Sequence, residues 1–502
     1  MSNVIHVPAD GFAPMVADLL AGGARYRMLL GTDDRVVGGD GLAVEAALGT
    51  EEGGLVRVVA RLPLDDPAYP SLTPLVPAVH WDEREAADLL GLRPLGHPDP
   101  RRLVLHETFP DGFLPLRKDV PAGARPPVAD GRWEAFTAEG EGIYQLPVGP
   151  IHAGVIEPGH FRFSAVGERV LHLDARLFFT HRGLEKLAEG RALAAALPLV
   201  ERACGVCTVT HALAYAQAVE ALTEVDVPGR ARWGRVLLAE LERAYNHVGD
   251  LGNMCAGMGF NAGSSRLGAL KERLLRLNDA LVGHRYLQAM IVPGGLRRDL
   301  AADRVTALPA ELDAISHELA AAVRVVLRSD GAVSRLNRTG TVTADGVRVL
   351  GGLGVAAKAV GFEADLRRDE PYAAYGELEV AVVTAHTGDA AARFHVRAQE
   401  AHDALRLARE VAGRLPAGEW VARDDGSVPA VGAVAMGGAE GPRGTSWIWL
   451  RAGAEGTVDR VRLRTASFAN WPIVASAVTG DLVPDFPLIN KSFELCYACT
   501  DR

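Results

Sequence analysis

Apolar residues recur every three or four positions over long stretches of this chain, and those stretches predict helices. From Pro228 onward Leu237, Leu238, Leu241, Tyr245 and Val248 keep that spacing, the period that puts one apolar stripe on a helix. Pro228 stands where proline is favoured, at a helix start. Leu267, Leu270, Leu274, Leu277 and Leu281 repeat the pattern, and the segments Leu312 to Leu327 and Ala390 to Leu415 continue it. Long helices with short connections predict a helical-bundle core. Shorter runs read as strands. These are Gly54 to Pro63 with Leu55, Val56, Val58 and Val59, then Phe161 to Val170, then Val458 to Ala466. His80 to Leu90 is short, rich in Trp, Asp, Glu and Arg, and predicts a helix whose charges face solvent or a partner.

This order of elements divides the chain. Residues 1–118 form a small α/β unit. Residues 119–143, with Pro121, Pro126, Pro127 and several glycines, read as a linker. Residues 144–502 form a larger unit, so the expected fold class is α+β: an N-terminal α/β domain, then a helical bundle with flanking β pieces. Composition adds bounds. Of 502 residues, 48% are hydrophobic and 23% charged, enough apolar content for a large core. A net charge of −10 argues against nucleic acid as a partner. No apolar run reaches about 18 residues, the length of a membrane span. The start, Met1-Ser-Asn-Val-Ile-His6, lacks the basic-then-apolar pattern of a secretory signal. The expectation is a cytoplasmic chain that meets a membrane only through partner subunits.

The candidate chemistry lies in cysteines. Glu201-Arg-Ala-Cys204-Gly-Val-Cys207 and Leu495-Cys496-Tyr-Ala-Cys499-Thr-Asp-Arg502 are two C-x-x-C pairs. Each such turn points two sulfurs at one place, and two turns can build a four-thiolate metal site. The pairs lie far apart in sequence, so the fold must carry the second back to the first. Four readings stand side by side. They are a structural zinc site, whose ligands usually come from short local ribbons, a disulfide pair, which a reducing compartment disfavours, core cysteines that bind nothing, and a redox metal centre using soft thiolates. The fifth cysteine, Cys255, has no partner spacing and reads as a small buried hydrophobe.

Further motifs surround these pairs, and together they carry a resemblance over nearly the whole chain. They include His80-Trp-Asp-Glu-Arg-Glu-Ala-Ala-Asp88, Gly96-His-Pro-Asp-Pro-Arg-Arg-Leu103 and Gly149-Pro-Ile-His152-Ala-Gly-Val-Ile-Glu157-Pro-Gly-His160. They continue with Arg182-Gly-Leu-Glu185, Asn246-His-Val-Gly-Asp250, Asp365 to Tyr375, Gly388 to Arg393 and Gly441-Pro-Arg443-Gly444. The chain resembles the catalytic large subunit of membrane-bound, group 4 [NiFe] hydrogenases of the formate hydrogenlyase type. It is equally similar to a fusion of the 30 kDa-like and 49 kDa-like subunits of respiratory complex I.

The resemblance implies a site. Cys204 and Cys496 would bind nickel alone. Cys207 and Cys499 would bridge nickel to an iron that carries CO and cyanide. Glu157 would relay protons, with a loop pair to Arg162 as its bland alternative. Arg443 would hang over the metals. His211 would donate to a sulfur, Asp250 would orient polar groups in the cavity or lie on a solvated helix face, and His152 would line the first active-site loop. In relatives the glutamate matching Glu185 helps hold magnesium together with a C-terminal histidine. Here Arg502 stands in that place and cannot be a ligand, so a Glu185–Arg502 ion pair competes with magnesium. Lys358 replaces the usual arginine and is read as incidental.

The partners implied are an iron–sulfur small subunit like the complex I 20 kDa subunit, because no cysteines remain here for a cluster, and membrane ion-translocating subunits. Formate dehydrogenase or another donor would be the electron partner, and the place in the cell would be the inner face of the membrane. Two departures stand out. Glu494-Leu495 replaces the usual Asp-Pro before the third cysteine, which loosens a turn that proline would preset. The sequence also stops at Arg502, where many relatives carry an extension that is cut away after nickel insertion, so it is either removed or never made. A second function remains open: a complex I-like subunit for quinone reduction or energy coupling, without metals.

Overall fold

The computed structural model describes residues 3–50, 53–152, 156–423 and 426–502. Ala153, Gly154 and Val155 of the first active-site loop lie outside the described residues. The architecture is α+β. The N-terminal unit runs β1 (Asn3–Val7), α1 (Phe12–Ala21), β2 (Arg25–Asp33), β3 (Leu42–Gly49), β4 (Leu55–Leu62) and α2 (His80–Leu90). Its sheet has the order β1-β4-β3-β2. β1 pairs in parallel with β4, Ile5 opposite Val58, and the other pairings are antiparallel. β3 is buried along its whole length, as a central strand covered on both faces requires.

The larger unit opens with an antiparallel sheet of β5 (Tyr144–Val148), β6 (His160–Val166) and β7 (Arg169–Arg176). The run Phe161 to Val170, expected as one strand, is therefore a hairpin that turns at positive-φ Gly167. Helices follow: α3 (Leu193–Glu201), α4 (Thr208–Thr223), α5 (Gly229–Gly257), α6 (Asn261–Val282), α7 (Ala302–Leu327) and α8 (Ala390–Arg414). The leucines at three-and-four spacing on α5 and α6 are buried, and α5 packs against both α6 and α8. A second antiparallel sheet, β8 (Val434–Gly441), β9 (Gly444–Ala452) and β10 (Val458–Arg464), lies against α4. Three helices close the chain: α9 (Ala466–Val478), α10 (Phe486–Phe493) and α11 (Tyr497–Asp501). The strand expected to reach Ala466 stops at Arg464 because the Thr465 side chain caps α9, accepting from Phe468 N, and so commits the next residue to helix.

Among the described residues two large apolar clusters hold the molecule, and a smaller one joins Met28, Leu30 and Ala47 to Trp447 and Trp449. One large cluster fills the space between the helices and β8–β10. The other joins Leu29, Val58 and Leu89 of the N-terminal unit to Phe161, Trp471 and Ile489 of the larger one. The charged face expected on α2 is not on the surface. Asp82, Glu83, Arg84 and Glu85 are all buried. Each has partners supplied from elsewhere in the chain: Glu83 accepts from Ser71 and Thr73, and Asp82 pairs with Arg464. Burial of charge is tolerated where it is paired, and a local pattern does not show the partner.

Candidate metal centre

The Cys204–Cys207 turn sits between α3 and α4, with Cys207 at the N-cap position of α4. α5 clamps it. Val206 O accepts from Tyr245 Oη at 2.8 Å and from Asn246 Nδ2 at 2.9 Å. One turn earlier on α5, Glu242 accepts from Val209 N at 2.7 Å, from Thr210 N at 2.9 Å and from the Thr210 hydroxyl. That carboxylate takes up the free N–H groups that a helix start always leaves.

The second turn is just as firmly set. Cys496 caps α11, its sulfur accepting from Cys499 N at 3.3 Å. The looseness expected from the missing proline is absent. Glu494 ends α10 in the left-handed region at φ 50°. Its carbonyl accepts from Arg443 Nε at 2.9 Å, and Cys496 N donates to Ser467 Oγ at 3.1 Å. One more side chain ties the two turns together. Arg182 donates to Arg202 O at 3.2 Å, Ala203 O at 2.7 Å and Ala498 O at 3.1 Å. Its guanidinium thus spans the residue before Cys204 and the residue before Cys499.

The four sulfurs meet. Cys496 Sγ lies 3.3 Å from Cys204 Sγ, and the sulfurs of Cys204, Cys207 and Cys499 all lie within 4.8 Å of one another. All five cysteines are free thiols, so the disulfide reading falls. Hydrogen bonds from the Cys207, Cys496 and Cys499 thiols hold the Cys204 sulfur well below the ordinary thiol range, against burial. The other three are driven up, Cys207 and Cys496 first by the bond to Cys204 and Cys499 first by burial. Four thiols sharing protons in a closed pocket fit a soft metal centre, which would replace those protons with cationic charge.

The surrounding polar groups are arranged about this cluster. His211 Nε2 lies 3.9 Å from Cys499 Sγ, and burial lowers its pKa to about 4, so the ring is neutral. Arg443 projects from the Gly441–Gly444 turn of the β8–β9 hairpin. It donates to Asn246 Oδ1 at 2.5 Å and Asp250 Oδ1 at 2.9 Å. Burial opposes its charge, but Asp250 and the Cys207 and Cys496 sulfurs raise its pKa well above the ordinary value. Asp250 is buried and also holds Arg397 at 3.3 Å, so it does not lie on a solvated face. Glu157 is exposed as a residue, yet its carboxyl end turns inward. Oε2 accepts from Ala498 N at 2.9 Å and lies 3.8 Å from Cys496 Sγ. Partial desolvation raises its pKa.

Two expected residues are used otherwise. His152 Nε2 bonds Gly159 O at 2.8 Å within its own loop, and no bond among the described residues joins it to a cysteine. Glu185 accepts from Arg460 at 2.7 Å, from Arg502 at 3.2 Å and from Leu463 N at 3.1 Å. With its oxygens taken by cations and an amide, the corner does not fit magnesium. Lys358, read as incidental, is buried and bonds Asp365 at 2.7 Å and Glu400 at 2.6 Å. Sequence reasoning passed over Arg182, Glu242 and Tyr245. The signal for Glu242 was present: it shares with Asn246 and Asp250 one polar face at a spacing of four on α5.

The family model of the 30 Kd subunit of respiratory-chain NADH dehydrogenase matches residues 5–126, and that of the 49 Kd subunit matches residues 259–432. The model of nickel-dependent hydrogenases matches residues 182–251. The chain is 35% identical to formate hydrogenlyase subunit 5 of Escherichia coli over 96% of its own length and 85% of the relative's. It is 35% identical to hydrogenase-4 component G of the same organism, over 95% and 83%. A component of the NADH-quinone oxidoreductase of Aquifex aeolicus is 27% identical, over 89% and 86%. A chain of the membrane-bound sulfane sulfur reductase, an archaeal respiratory membrane complex, superposes with a TM-score of 0.68 at 25% identity, covering 72% of this chain and 99% of that one.

Proposed function

We propose, for a chain that belongs to the family of the formate hydrogenlyase and hydrogenase-4 large subunits, that it is the catalytic large subunit of a membrane-associated [NiFe] hydrogenase complex. It is an oxidoreductase interconverting dihydrogen with protons and electrons. The observation that carries this reading is the meeting of four thiol sulfurs from two distant turns beside the buried Arg443 guanidinium.

Cys204, Cys207, Cys496 and Cys499 would hold nickel and iron. When bound, such a centre supplies the two-electron acceptor that lets dihydrogen split heterolytically. The chain's own groups do the rest. A cysteine sulfur holds the released proton, since the charged Arg443 guanidinium has no site to accept one. Glu157, 3.8 Å from Cys496 Sγ, takes it onward, and burial raises its carboxyl pKa, the direction a proton relay needs. Arg443 stays charged and fixed by Asn246 and Asp250, a preset dipole that needs no rearrangement during turnover. Electrons leave through an iron–sulfur small subunit. Formate dehydrogenase or another donor feeds the assembly. No helix among the described residues is long and apolar enough to cross a membrane, so attachment to the inner face runs through ion-translocating partners.

Metal analysis of the purified complex, with infrared detection of CO and cyanide stretches, tests this. Nickel and iron at about one each per chain, with both sets of bands, are expected. Cys499→Ser should abolish bands and turnover together. Zinc alone would return the site to a structural role, and a metal-free complex that reduces quinone would favour the coupling-subunit reading.

A further inference from the structure

The N-terminal unit has no part in the chemistry above, yet one of its side chains reaches the residue three places beyond Cys499. Glu85 of α2 accepts from both terminal nitrogens of Arg502, Nη1 at 3.3 Å and Nη2 in a shorter bond. The Arg502 Nη1 atom also reaches Glu185 Oε1 at 3.2 Å and Leu463 O at 2.8 Å, and the guanidinium lies over the Phe468 ring at 4.9 Å. Arg462 Nη1 bonds Glu85 at 3.0 Å and Glu185 at 3.4 Å. Arg502 is therefore shared between a carboxylate of the N-terminal unit and one from the short helix Leu184–Ala188 that precedes α3. All of these groups are buried.

α11 spans five residues, too short to be stable by itself. Its other ties include Asp501 to Phe178 N, Thr180 N and Thr180 Oγ1, at 2.9, 3.0 and 2.8 Å, Asp501 O to His181 Nδ1 at 2.6 Å, Arg502 O to Arg182 N at 2.8 Å, Ala498 to Arg182 and Glu157 at 3.1 and 2.9 Å, and Cys499 O to Thr465 Oγ1 at 3.1 Å. A buried guanidinium that loses one of its carboxylates is left partly unmatched, which is strongly destabilising locally. The segment can answer by fraying from its Arg502 end toward Cys499, while the bonds at Ala498 and Cys496 N hold the start of the turn.

We propose that Glu85 is a positioning residue for the Cys496–Cys499 turn, so that the N-terminal unit latches the second half of the metal site in place through Arg502. Only the metal arm of the test rests on the function proposed above. The control is Glu83→Gln, because Glu83 lies on the same helix and is equally buried, but bonds Ser71, Leu72 and Thr73 within the N-terminal unit.

Hydrogen exchange is followed by mass spectrometry on the purified complex, wild type and variants. Glu85→Gln should speed exchange of the amides of residues 499–502 about tenfold, the effect of one lost charge-assisted hydrogen bond. It should also lower the nickel retained per chain. Glu83→Gln should leave that segment unchanged. In an Arg502→Gln background, Glu85→Gln should add nothing further, since the latch is already open. An unchanged segment in Glu85→Gln, an equal effect from Glu83→Gln, or a further tenfold rise in the Arg502→Gln background would each overturn the proposal. If the wild type holds no nickel, the functional reading fails, while the exchange pattern still decides the latch.

Discussion

Glu157 and Glu242 are both carboxylates near the sulfur cluster, and they behave differently because of what surrounds them. Glu157 touches Ala498 N and lies close to Cys496 at the edge of the site. Glu157→Gln keeps its shape and its acceptor oxygen but removes the titratable proton. Hydrogen–deuterium exchange of dihydrogen should fall about 10²- to 10⁴-fold, with nickel and iron content unchanged. Normal exchange in a metal-replete variant would exclude Glu157 as the proton gate. Glu242 is sealed in, and burial pushes its carboxyl up to about 7 against the bonds from Thr210 and Val209. An unfolded glutamate ionises near 4.5, so between these values the folded state holds a proton that the unfolded state has lost. The stability this gives is complete below about 4.5 and is lost as pH rises through 7. Glu242→Gln resembles the protonated form at every pH. Its denaturation midpoint should track the wild type at pH 5 and exceed it at pH 8, by an amount of the order of 3 kcal/mol at most. Parallel pH curves for the two proteins would show that Glu242 does not titrate in this range.

At the scale of elements, the site depends on close backbone approach between α4 and β8. A Cβ on Gly437 would meet Ala214 O at 2.0 Å and Ala218 N at 2.8 Å. The strand lies directly on the helix that begins at Cys207. Gly437→Ala must push the two apart, with a cost of about 1–3 kcal/mol for overpacking. Because β8 ends at the turn that carries Arg443, the shift should also move the CO and cyanide bands. Gly331 provides the contrast. It lies in the helix Asp330–Leu336 with open space around it, so Gly331→Ala should stabilise by up to about 1 kcal/mol and leave the spectrum alone. Denaturant midpoints and infrared spectra of both variants check this. A harmless Gly437→Ala would mean that the helix–strand contact is softer than its geometry implies.

For the whole molecule, the second apolar cluster determines how separable the two units are. Leu29, Val58 and Leu89 pack in the same cluster as Phe161, Trp471 and Ile489, and the buried Asp82 pairs with Arg464 of β10. A chain of residues 119–502 would expose that apolar surface and leave Arg464 without its acidic partner. It should aggregate or bind a hydrophobic dye when expressed alone. A stable, dye-silent fragment with native nickel content would show that the N-terminal unit only decorates the larger one.

The sequence alone carried a good deal of this. The helices α5, α6 and α8 were legible because a three-and-four spacing of leucines, alanines and valines is a local property of the chain. The two C-x-x-C pairs were legible as half-sites because each turn is four residues long. The charges on α2 were misread as a surface, because what buries Asp82 and Glu85 is arginine from β10 and from the last residues of the sequence. The clamp on Val206 was missed because Tyr245 and Asn246 look like ordinary positions on a helix face. The sequence by itself determined the long helices α5 to α8, which residues could ligate a soft metal, and that the chain needs distant sulfurs to meet. Only the tertiary structure decided that they do meet, that Arg502 replaces a cation beside Glu185, and that the N-terminal unit shares in holding it. The physical reason is desolvation. Whether a charge or a thiol can be buried depends on partners that the fold brings in from afar, and no window of neighbouring residues contains them.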